Sequence, residues 1–220
     1  MIDPNDFVIS RKRKKYKFAK FANAKNCFEY SEFLSQGMTA HQGKKIQIEL
    51  GAGTGLFSVE LAARHPSVLF VAIDVKGDRL QKGAYEALEL GIDNVLFVRA
   101  RADQINELFT PKTVESIWLT FPDPFPRKHS AGRRMTHPKF LKKYATILAS
   151  GGSFLLKHDN IDFFAWSLEK LVGQKWHIAE LSFDLHSSDL VDDYKIKTTY
   201  EQRWLDDGRK THFLRAVVNP

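Results

Sequence analysis

Short apolar runs alternate with amphipathic stretches along most of this chain. Runs rich in Val, Ile, Leu and Phe are typical of buried strands, and they occur at residues 46–50, 68–73, 95–100, 116–121, 153–157, 177–183 and 213–218. Apolar residues at helical spacing predict helices between these runs, at residues 56–64, 78–90, 103–109, 138–148 and 162–172. The sequence therefore predicts alternating strands and helices.

This alternation predicts an α/β fold with a seven-stranded, mostly parallel sheet that carries helices on both faces. The last two apolar runs depart from this alternation, because the segment 184–204 between them is long and polar. We expect the last strand to run antiparallel. In a sheet of this kind, ligands bind outside the carboxyl ends of the strands. The residues that directly follow each predicted strand are therefore the candidates for a site.

The first predicted strand leads into a glycine-rich turn, GAGTG at residues 51–55, with Glu49 just before it. Glycines here let the turn tighten and let the backbone approach a ligand at the start of the next helix. A dinucleotide-binding turn would place its third glycine at position 56, but that residue is Leu56, and the glycine is Gly55. The spacing resembles the first motif of the Rossmann-like S-adenosylmethionine methyltransferases; an ordinary glycine-rich turn is the alternative.

Asp74 follows the second predicted strand, 23 residues after Gly51. An acid about 20 residues beyond such a turn accepts hydrogen bonds from the ribose hydroxyls of an adenosine ligand. The alternative is a helix cap, a role that Asp78 could also fill. Glu49, the glycines and Asp74 together indicate a site for an adenosine-containing ligand.

The fourth predicted strand runs into TFPDPFP at residues 120–126, in which three prolines surround Asp123. Proline ends a strand ladder and fixes the backbone, so Asp123 is predicted to have a defined place at the end of the strand. A stiff linker is the alternative, but an apolar strand precedes this stretch and a helix follows it. The next residues, RKHSAGRRM, add Arg127, Arg133 and Arg134 and favour the binding of phosphates.

Charge and composition narrow the class of protein. With 33 Lys and Arg against 26 Asp and Glu, the net charge is +7, which favours a polyanionic partner. The one cysteine, Cys27, excludes an intrachain disulfide and a thiolate metal cluster. The longest apolar run is too short to span a bilayer, and we expect a soluble, cytoplasmic protein.

The positive charge is concentrated near the N-terminus. Residues 7–28 contain eight Lys and Arg and no acid, and Tyr16, Phe18 and Phe21 lie among these charges. Cations that pair with phosphates and aromatic rings that stack on bases are typical of nucleic-acid-binding segments. We therefore expect residues 1–40 to form a basic, partly flexible arm before a catalytic domain at 41–220, the alternative being a solvated tail.

Four motifs of this chain together resemble those of the bacterial tRNA (guanine-N7-)-methyltransferase family. They are IELGAGTG, FPDPFPRKHSAGRRM, LLKHDN at residues 155–160 and TTYE at residues 198–201. The resemblance extends from the glycine turn almost to the end of the chain. It implies S-adenosylmethionine as the methyl donor, S-adenosylhomocysteine as the product, and tRNA guanine 46 in the variable loop as the target. We also expect no metal and no membrane partner, and a monomer or homodimer.

The resemblance also implies roles for individual residues. The predicted contacts with S-adenosylmethionine are Glu49, Gly51, Gly53, Asp74, Arg101 and Asp123. The predicted contacts with the guanine nucleotide are Arg127, Asp159, Thr198, Thr199, Tyr200 and Glu201, and those with tRNA phosphates are Arg133 and Arg134. Arg101 stands where the family would have an acid or amide to meet the adenine, and Asp103 is the alternative for that contact. At three other positions this chain departs from the family's usual residue: Phe125 replaces Trp, Arg127 replaces Lys and Asp74 replaces Glu.

The chemistry of the target assigns Asp123 its role. Guanine N7 carries a lone pair and no proton, so its attack on a sulfonium methyl group needs no general base. Asp123 is therefore predicted to position the base and stabilise its developing positive charge, while Asp159 and Glu201 accept hydrogen bonds from the N1 and N2 edge. The alternatives are methylation of another base nitrogen, a nicotinamide oxidoreductase, and a non-catalytic RNA-binding protein.

Overall fold

A computed structural model describes residues 1–9, 12–38 and 43–218 of the chain. These residues form two units with separate sets of internal contacts, Met1–Leu108 and Phe109–Pro220.

The first unit holds four parallel strands in the order β1-β4-β3-β2. The strands are β1 (Cys27–Glu29), β2 (Lys45–Leu50), β3 (Val68–Asp74) and β4 (Val95–Arg99). Its helices are α1 (Lys12–Asn23), α2 (Tyr30–Glu32) with a π-helical turn at Phe33–Gly37, α3 (Leu56–Arg64), α4 (Gly77–Glu89) and α5 (Ile105–Leu108).

Burial explains why β3 is continuously apolar. Leu69, Val71 and Ala72 are fully buried in the middle of the strand, between β2 and β4. A parallel strand covered on both faces needs an unbroken apolar run rather than alternation. The polar residues Glu49 and Asp74 come only near the carboxyl ends of β2 and β3, which is where the sequence predicts a site.

The second unit holds four strands in the order β5-β6-β8-β7. The strands are β5 (Val114–Thr120), β6 (Leu148–His158), β7 (Trp176–Ser182) and β8 (His212–Val218). Strands β5 and β6 are parallel, whereas β8 is antiparallel to both β6 and β7. The helices are α6 (Pro138–Ile147), α7 (Ile161–Gly173) and α8 (Thr199–Asp206), and short 3-10 turns lie at Leu185–Ser187 and Asp192–Lys195.

These elements confirm the predicted α/β class, the mostly parallel strands and the antiparallel last strand. The predicted number of strands is too low, because the described residues contain eight. The additional strand is β1, which has only three residues and pairs with β4 through Cys27 and Phe97, Phe28 and Val98, and Glu29 and Arg99. A strand this short carries too few residues for a periodic signal. No helix among the described residues is long and apolar enough to cross a membrane.

The basic N-terminal segment is largely built into the first unit. Helix α1 packs against α4, with Phe18 only 8% and Phe21 only 1% exposed. These rings lie three positions apart on one face of the helix and are buried, so the predicted stacking on bases is wrong for both; Tyr16 is exposed. Arg11 and the predicted boundary between residues 40 and 41 lie outside the described residues, and the flexibility of the arm stays a prediction.

Candidate active site

The glycine turn after β2 and the end of β3 form one connected structure in the first unit. The Gly51 N–H donates to the Ile73 carbonyl at 2.8 Å, and the Gly53 N–H donates to Asp74 Oδ2 at 2.9 Å. Gly53 has a φ of 58°, and a Cβ built on it would meet no atom within 4 Å. The backbone there is thus left-handed and faces open space, as the approach of a ligand requires.

Asp74 keeps acceptor capacity although both of its oxygens are in use. Oδ2 accepts from Gly53, and Oδ1 accepts the Lys76 N–H at 2.8 Å. Each carboxylate oxygen has two lone pairs, so two further hydrogen bonds are available to a ligand's hydroxyl groups. The end of β3 is therefore joined to the glycine turn, and the predicted contact of Asp74 with a ribose stays a prediction.

Glu49 is 2% exposed and accepts a hydrogen bond from Ser58 Oγ at 2.7 Å. Ser58 lies in the first turn of α3, so the carboxylate ties this helix to the end of β2. The sequence assigns Glu49 to the methyl donor, whereas the structure shows that it also holds the glycine turn between two fixed elements.

Arg101 and Asp103, the two alternatives for the adenine contact, bind each other. Arg101 Nε and Nη2 donate to the two carboxylate oxygens of Asp103 at 2.9 and 2.8 Å. The Arg101 N–H donates to Gln104 Oε1 at 2.9 Å. A bidentate pair of this kind neutralises both side chains at the surface, so neither residue presents an isolated charge to the adenine.

In the second unit, Asp123 lies on the loop after β5. Its side chain is exposed, and no residue within the described parts of the chain donates a hydrogen bond to its carboxylate. The flanking backbone is strained, because Phe121 and Phe125 have positive φ values of 49° and 41°. Such conformations cost about 1–3 kcal/mol each for residues other than glycine, and they persist where surrounding contacts enforce them.

Contacts from β6 hold the loop on the side before Asp123. The Phe121 N–H donates to the Lys157 carbonyl at 2.9 Å, and His158 Nε2 lies 3.0 Å from the Pro122 carbonyl oxygen. His158 is the last residue of β6.

Arg134 holds the loop on the side after Asp123. Its Nε donates to the Pro124 carbonyl at 3.0 Å and its Nη2 to the Phe125 carbonyl at 3.1 Å. Its guanidinium also lies 4.4 Å from the ring centre of Trp166. Arg134 therefore braces the loop through Nε and Nη2, and its predicted contact with a tRNA phosphate stays a prediction.

The other two predicted basic contacts are free to meet a ligand. Arg127 is exposed, and its guanidinium has no partner among the residues described. Arg133 is also exposed, with its guanidinium 4.4 Å from the centre of the Phe125 ring. Both therefore present positive charge beside the Asp123 loop.

Glu201 is committed to structure rather than open to a ligand. Its carboxylate is 1% exposed and accepts from Lys157 Nζ at 2.7 Å, His186 Nε2 at 2.8 Å, Thr211 Oγ1 at 3.0 Å and the Thr198 N–H at 3.2 Å. Four donors occupy the four lone pairs of the carboxylate. The predicted guanine contact of Glu201 stays a prediction, and its carboxylate already accepts four hydrogen bonds within the protein.

The charge balance around Glu201 keeps it ionised. Burial alone would raise the pKa of Glu201, but the hydrogen bond from His186 and the charge of Lys157 bring this pKa below its ordinary value. Lys157 is itself fully buried and also donates to the Ile196 carbonyl at 2.7 Å. This ion pair joins β6 to the start of α8.

The TTYE motif is the N-cap of α8. Thr198 Oγ1 accepts the Glu201 N–H at 3.0 Å while Glu201 accepts the Thr198 N–H, which is a capping box. The two residues between them, Thr199 and Tyr200, are exposed. The motif therefore divides into a structural pair and a pair that can meet a ligand.

Tyr200 and Asp159 lie close to the Asp123 loop. The Tyr200 ring is 47% exposed and its centre lies 5.3 Å from that of Phe121. Partial burial and then the charge of Asp159 raise the pKa of Tyr200, with a smaller contribution from Asp123. Asp159 accepts from Arg209 Nη1 at 3.1 Å, and its side chain is only 7% exposed. The structure thus brings together Asp123, Tyr200 and Asp159.

No group of three or more His, Cys, Asp or Glu within the described ranges could hold a metal ion.

The comparisons with known proteins define the class first. A family model described as "Putative methyltransferase" matches residues 43–214. A solved 16S rRNA methyltransferase, KamB, aligns over 87% of this chain and 93% of its own with a TM-score of 0.62 and 18% identity. A 16S rRNA (adenine(1408)-N(1))-methyltransferase from Catenulisporales acidiphilia covers 100% of this chain and 95% of its own, with a TM-score of 0.58 and 14% identity. The fold is that of the Rossmann-like methyltransferases.

Curated relatives then give the family. The tRNA (guanine-N(7)-)-methyltransferase of Cytophaga hutchinsonii is 36% identical over 79% of this chain and 80% of its own. The protein of the same name from Bacteroides fragilis is 36% identical over 94% of this chain and 86% of its own. The chain belongs to the tRNA (guanine-N7-)-methyltransferase family.

Proposed function

We propose that the protein transfers the methyl group of S-adenosylmethionine to N7 of the variable-loop guanine of tRNA and releases S-adenosylhomocysteine. The observation that carries this proposal is Asp123, an exposed carboxylate on a strained loop with backbone anchors on both sides. Membership of the family supports the substrate.

The first unit has the features that the methyl donor needs. The open backbone at Gly53 and the spare lone pairs of Asp74 fit the adenosine portion of S-adenosylmethionine. The hydrogen bonds of Glu49 with Ser58 and of the Gly51 N–H with the Ile73 carbonyl fix this turn. The donor supplies an electrophilic methyl group on a positively charged sulfur, and the protein must orient the guanine toward it.

The chemistry of N7 fits a site without a general base. Guanine N7 has no proton to lose, so the protein gains rate by alignment and by stabilising the positive charge that appears on the purine. The Asp123 carboxylate, which has no hydrogen-bond donor among the described residues, is suited to that charge. Its anchored backbone means that little reorganisation is needed when the charge develops.

Three neighbouring groups are proposed to hold the guanine nucleotide. The exposed Tyr200 ring and the Phe121 ring present aromatic surface for stacking. Asp159 retains lone pairs beyond its contact with Arg209 and can accept from the N1 and N2 edge. Glu201 contributes indirectly by fixing the start of α8, on which Thr199 and Tyr200 lie.

Two basic surfaces are proposed to contact tRNA phosphates. Arg127 and Arg133 present exposed guanidinium groups beside the Asp123 loop. On α1, Arg13 and Lys14 are exposed in the first turn, where the helix dipole disfavours positive charge. Binding of a polyanion would offset this cost. A tRNA substrate further supports a cytoplasmic location, and a monomer or homodimer stays our expectation.

The direct test is to incubate the protein with labelled S-adenosylmethionine and unmodified tRNA, digest the RNA and identify the labelled nucleoside by mass spectrometry. We expect 7-methylguanosine, and label in any other nucleoside would contradict the proposal. Calorimetry with S-adenosylmethionine alone separates a failure of donor binding from a failure of substrate choice.

A further inference from the structure

The protonation state of His158 follows from its two hydrogen-bond partners. The Asn160 N–H points at His158 Nδ1 at 2.8 Å, and an N–H can only donate, so Nδ1 must be the acceptor. The proton of the neutral ring is therefore on Nε2. That Nε2–H donates to the Pro122 carbonyl oxygen at 3.0 Å.

The His158 ring is held in this orientation by its surroundings. The residue is 3% exposed, and its ring centre lies 4.5 Å from that of Phe163 on α7 and 6.1 Å from that of Phe121. Burial lowers the pKa of His158, partly opposed by its hydrogen bond to Pro122 and by the charge of Asp159. The neutral ring is thus a fixed link between β6 and the loop after β5.

This link acts where Asp123 has no support of its own. No described residue donates to the Asp123 carboxylate, so its direction depends on the backbone. Pro122, the residue before it, has no N–H, and its carbonyl is the hydrogen-bonding group that it offers to neighbouring elements. A donor at this carbonyl therefore fixes the peptide that carries Asp123.

We propose that His158 is a positioning residue for methyl transfer, which holds Asp123 by donating its Nε2–H to the Pro122 carbonyl. This inference rests on the proposed function. Both ring nitrogens are occupied and the residue is buried, so His158 does not transfer protons to the substrate.

Two substitutions separate this role from simple packing. The side-chain amide of His158→Gln can reach the place of Nε2 and donate to Pro122, whereas that of His158→Asn reaches only the place of Nδ1. We expect His158→Asn to lower kcat by more than tenfold with little change in KM for tRNA, and His158→Gln to keep kcat within about threefold of the wild type. His177→Asn, at an exposed position on β7, is the matched control.

The dependence of kcat on pH provides a second readout. Protonation of His158 would direct an Nδ1–H at the Asn160 N–H and disturb the link to Pro122. The Asp159 carboxylate, whose Oδ1 lies 3.4 Å from His158 Nδ1, favours this protonation. His212 on the adjacent β8 opposes it. We expect kcat of the wild type to fall on the acid side, and this fall to be absent in His158→Gln. Both variants should keep the affinity for S-adenosylmethionine in calorimetry.

The outcomes distinguish the two proposals. Full kcat in His158→Asn, or an equal loss in both variants that follows their thermal stability, overturns the positioning role alone. A wild-type protein that forms no 7-methylguanosine in the same assay overturns the proposed function and the positioning role with it.

Discussion

Two carboxylates of the second unit, Asp123 and Glu201, differ in exposure and in hydrogen bonding, although both are predicted to act on the guanine. Asp123 is exposed and its carboxylate has no hydrogen-bond donor among the described residues. Glu201 is 1% exposed and accepts from four donors, including a buried lysine. An acid with free lone pairs on a strained loop can act on a ligand, whereas a buried acid with every lone pair filled stabilises the fold.

The largest expected effect is on folding, from Glu201→Gln. This substitution removes the negative charge that faces buried Lys157, and breaking a buried ion pair on one side costs about 3–5 kcal/mol. We expect the free energy of unfolding in urea to fall by that amount. If the double variant Lys157→Met with Glu201→Gln recovers no stability over the single variant, the pair is not coupled as described.

The next effect is on turnover, from Asp123→Asn. Loss of a preorganised electrostatic group costs about 100-fold or more in rate, while an exposed residue contributes little to stability. Single-turnover kinetics should show this loss with unchanged urea unfolding and nearly unchanged tRNA affinity. Asp162→Asn, also exposed in the second unit, serves as the control, and a wild-type rate in Asp123→Asn would remove Asp123 from catalysis.

A smaller effect concerns tRNA binding by α1. Deletion of residues 1–20 would remove buried Phe18 along with the charges, so charge removal is the sharper experiment. The double variant Arg13→Gln with Lys14→Gln should reduce the slope of log K against log salt by about 1.4–1.8, since each phosphate contact contributes about 0.7–0.9. An equal change in the control Lys45→Gln with Lys175→Gln would show that α1 is not a specific contact surface.

The smallest effect is the dependence of stability on pH. Burial lowers the pKa of His158 from 6.5, so the unfolded chain takes up its proton first and stability declines as pH falls below that value, by at most about 1.4 kcal/mol per unit. The lowered pKa of Glu201 adds stability above 4.5 that is lost as pH falls through the folded value. Urea unfolding across this range should show both declines, and only the second in His158→Gln.

The sequence predicts the strands well because they depend on local pattern, and all seven apolar runs are strands. The structure joins Asp74 to the glycine turn through the Gly53 N–H, and its ribose contact stays a prediction. The sequence of α1 also contains a pattern typical of a buried helix face, because Phe18 and Phe21 have helical spacing. The many positive charges around them favoured the interpretation as a nucleic-acid-binding arm instead.

Only part of the structural role of Glu201 can be predicted from the sequence. The spacing of Thr198 and Glu201 is that of a capping box, which the sequence does show. The donors Lys157, His186 and Thr211 come from elsewhere in the chain, and no local pattern reports that they meet at one carboxylate. The same holds for His158, whose partner Pro122 lies 36 residues away.

Replacement of a single atom in the substrate tests the central claim most directly. A tRNA in which 7-deazaguanosine replaces guanosine keeps its phosphates and its base-pairing edge, but it has carbon in place of N7. We predict that this tRNA binds with nearly normal affinity and accepts no methyl group under single-turnover conditions. Transfer of label to the substituted tRNA would contradict methylation at N7.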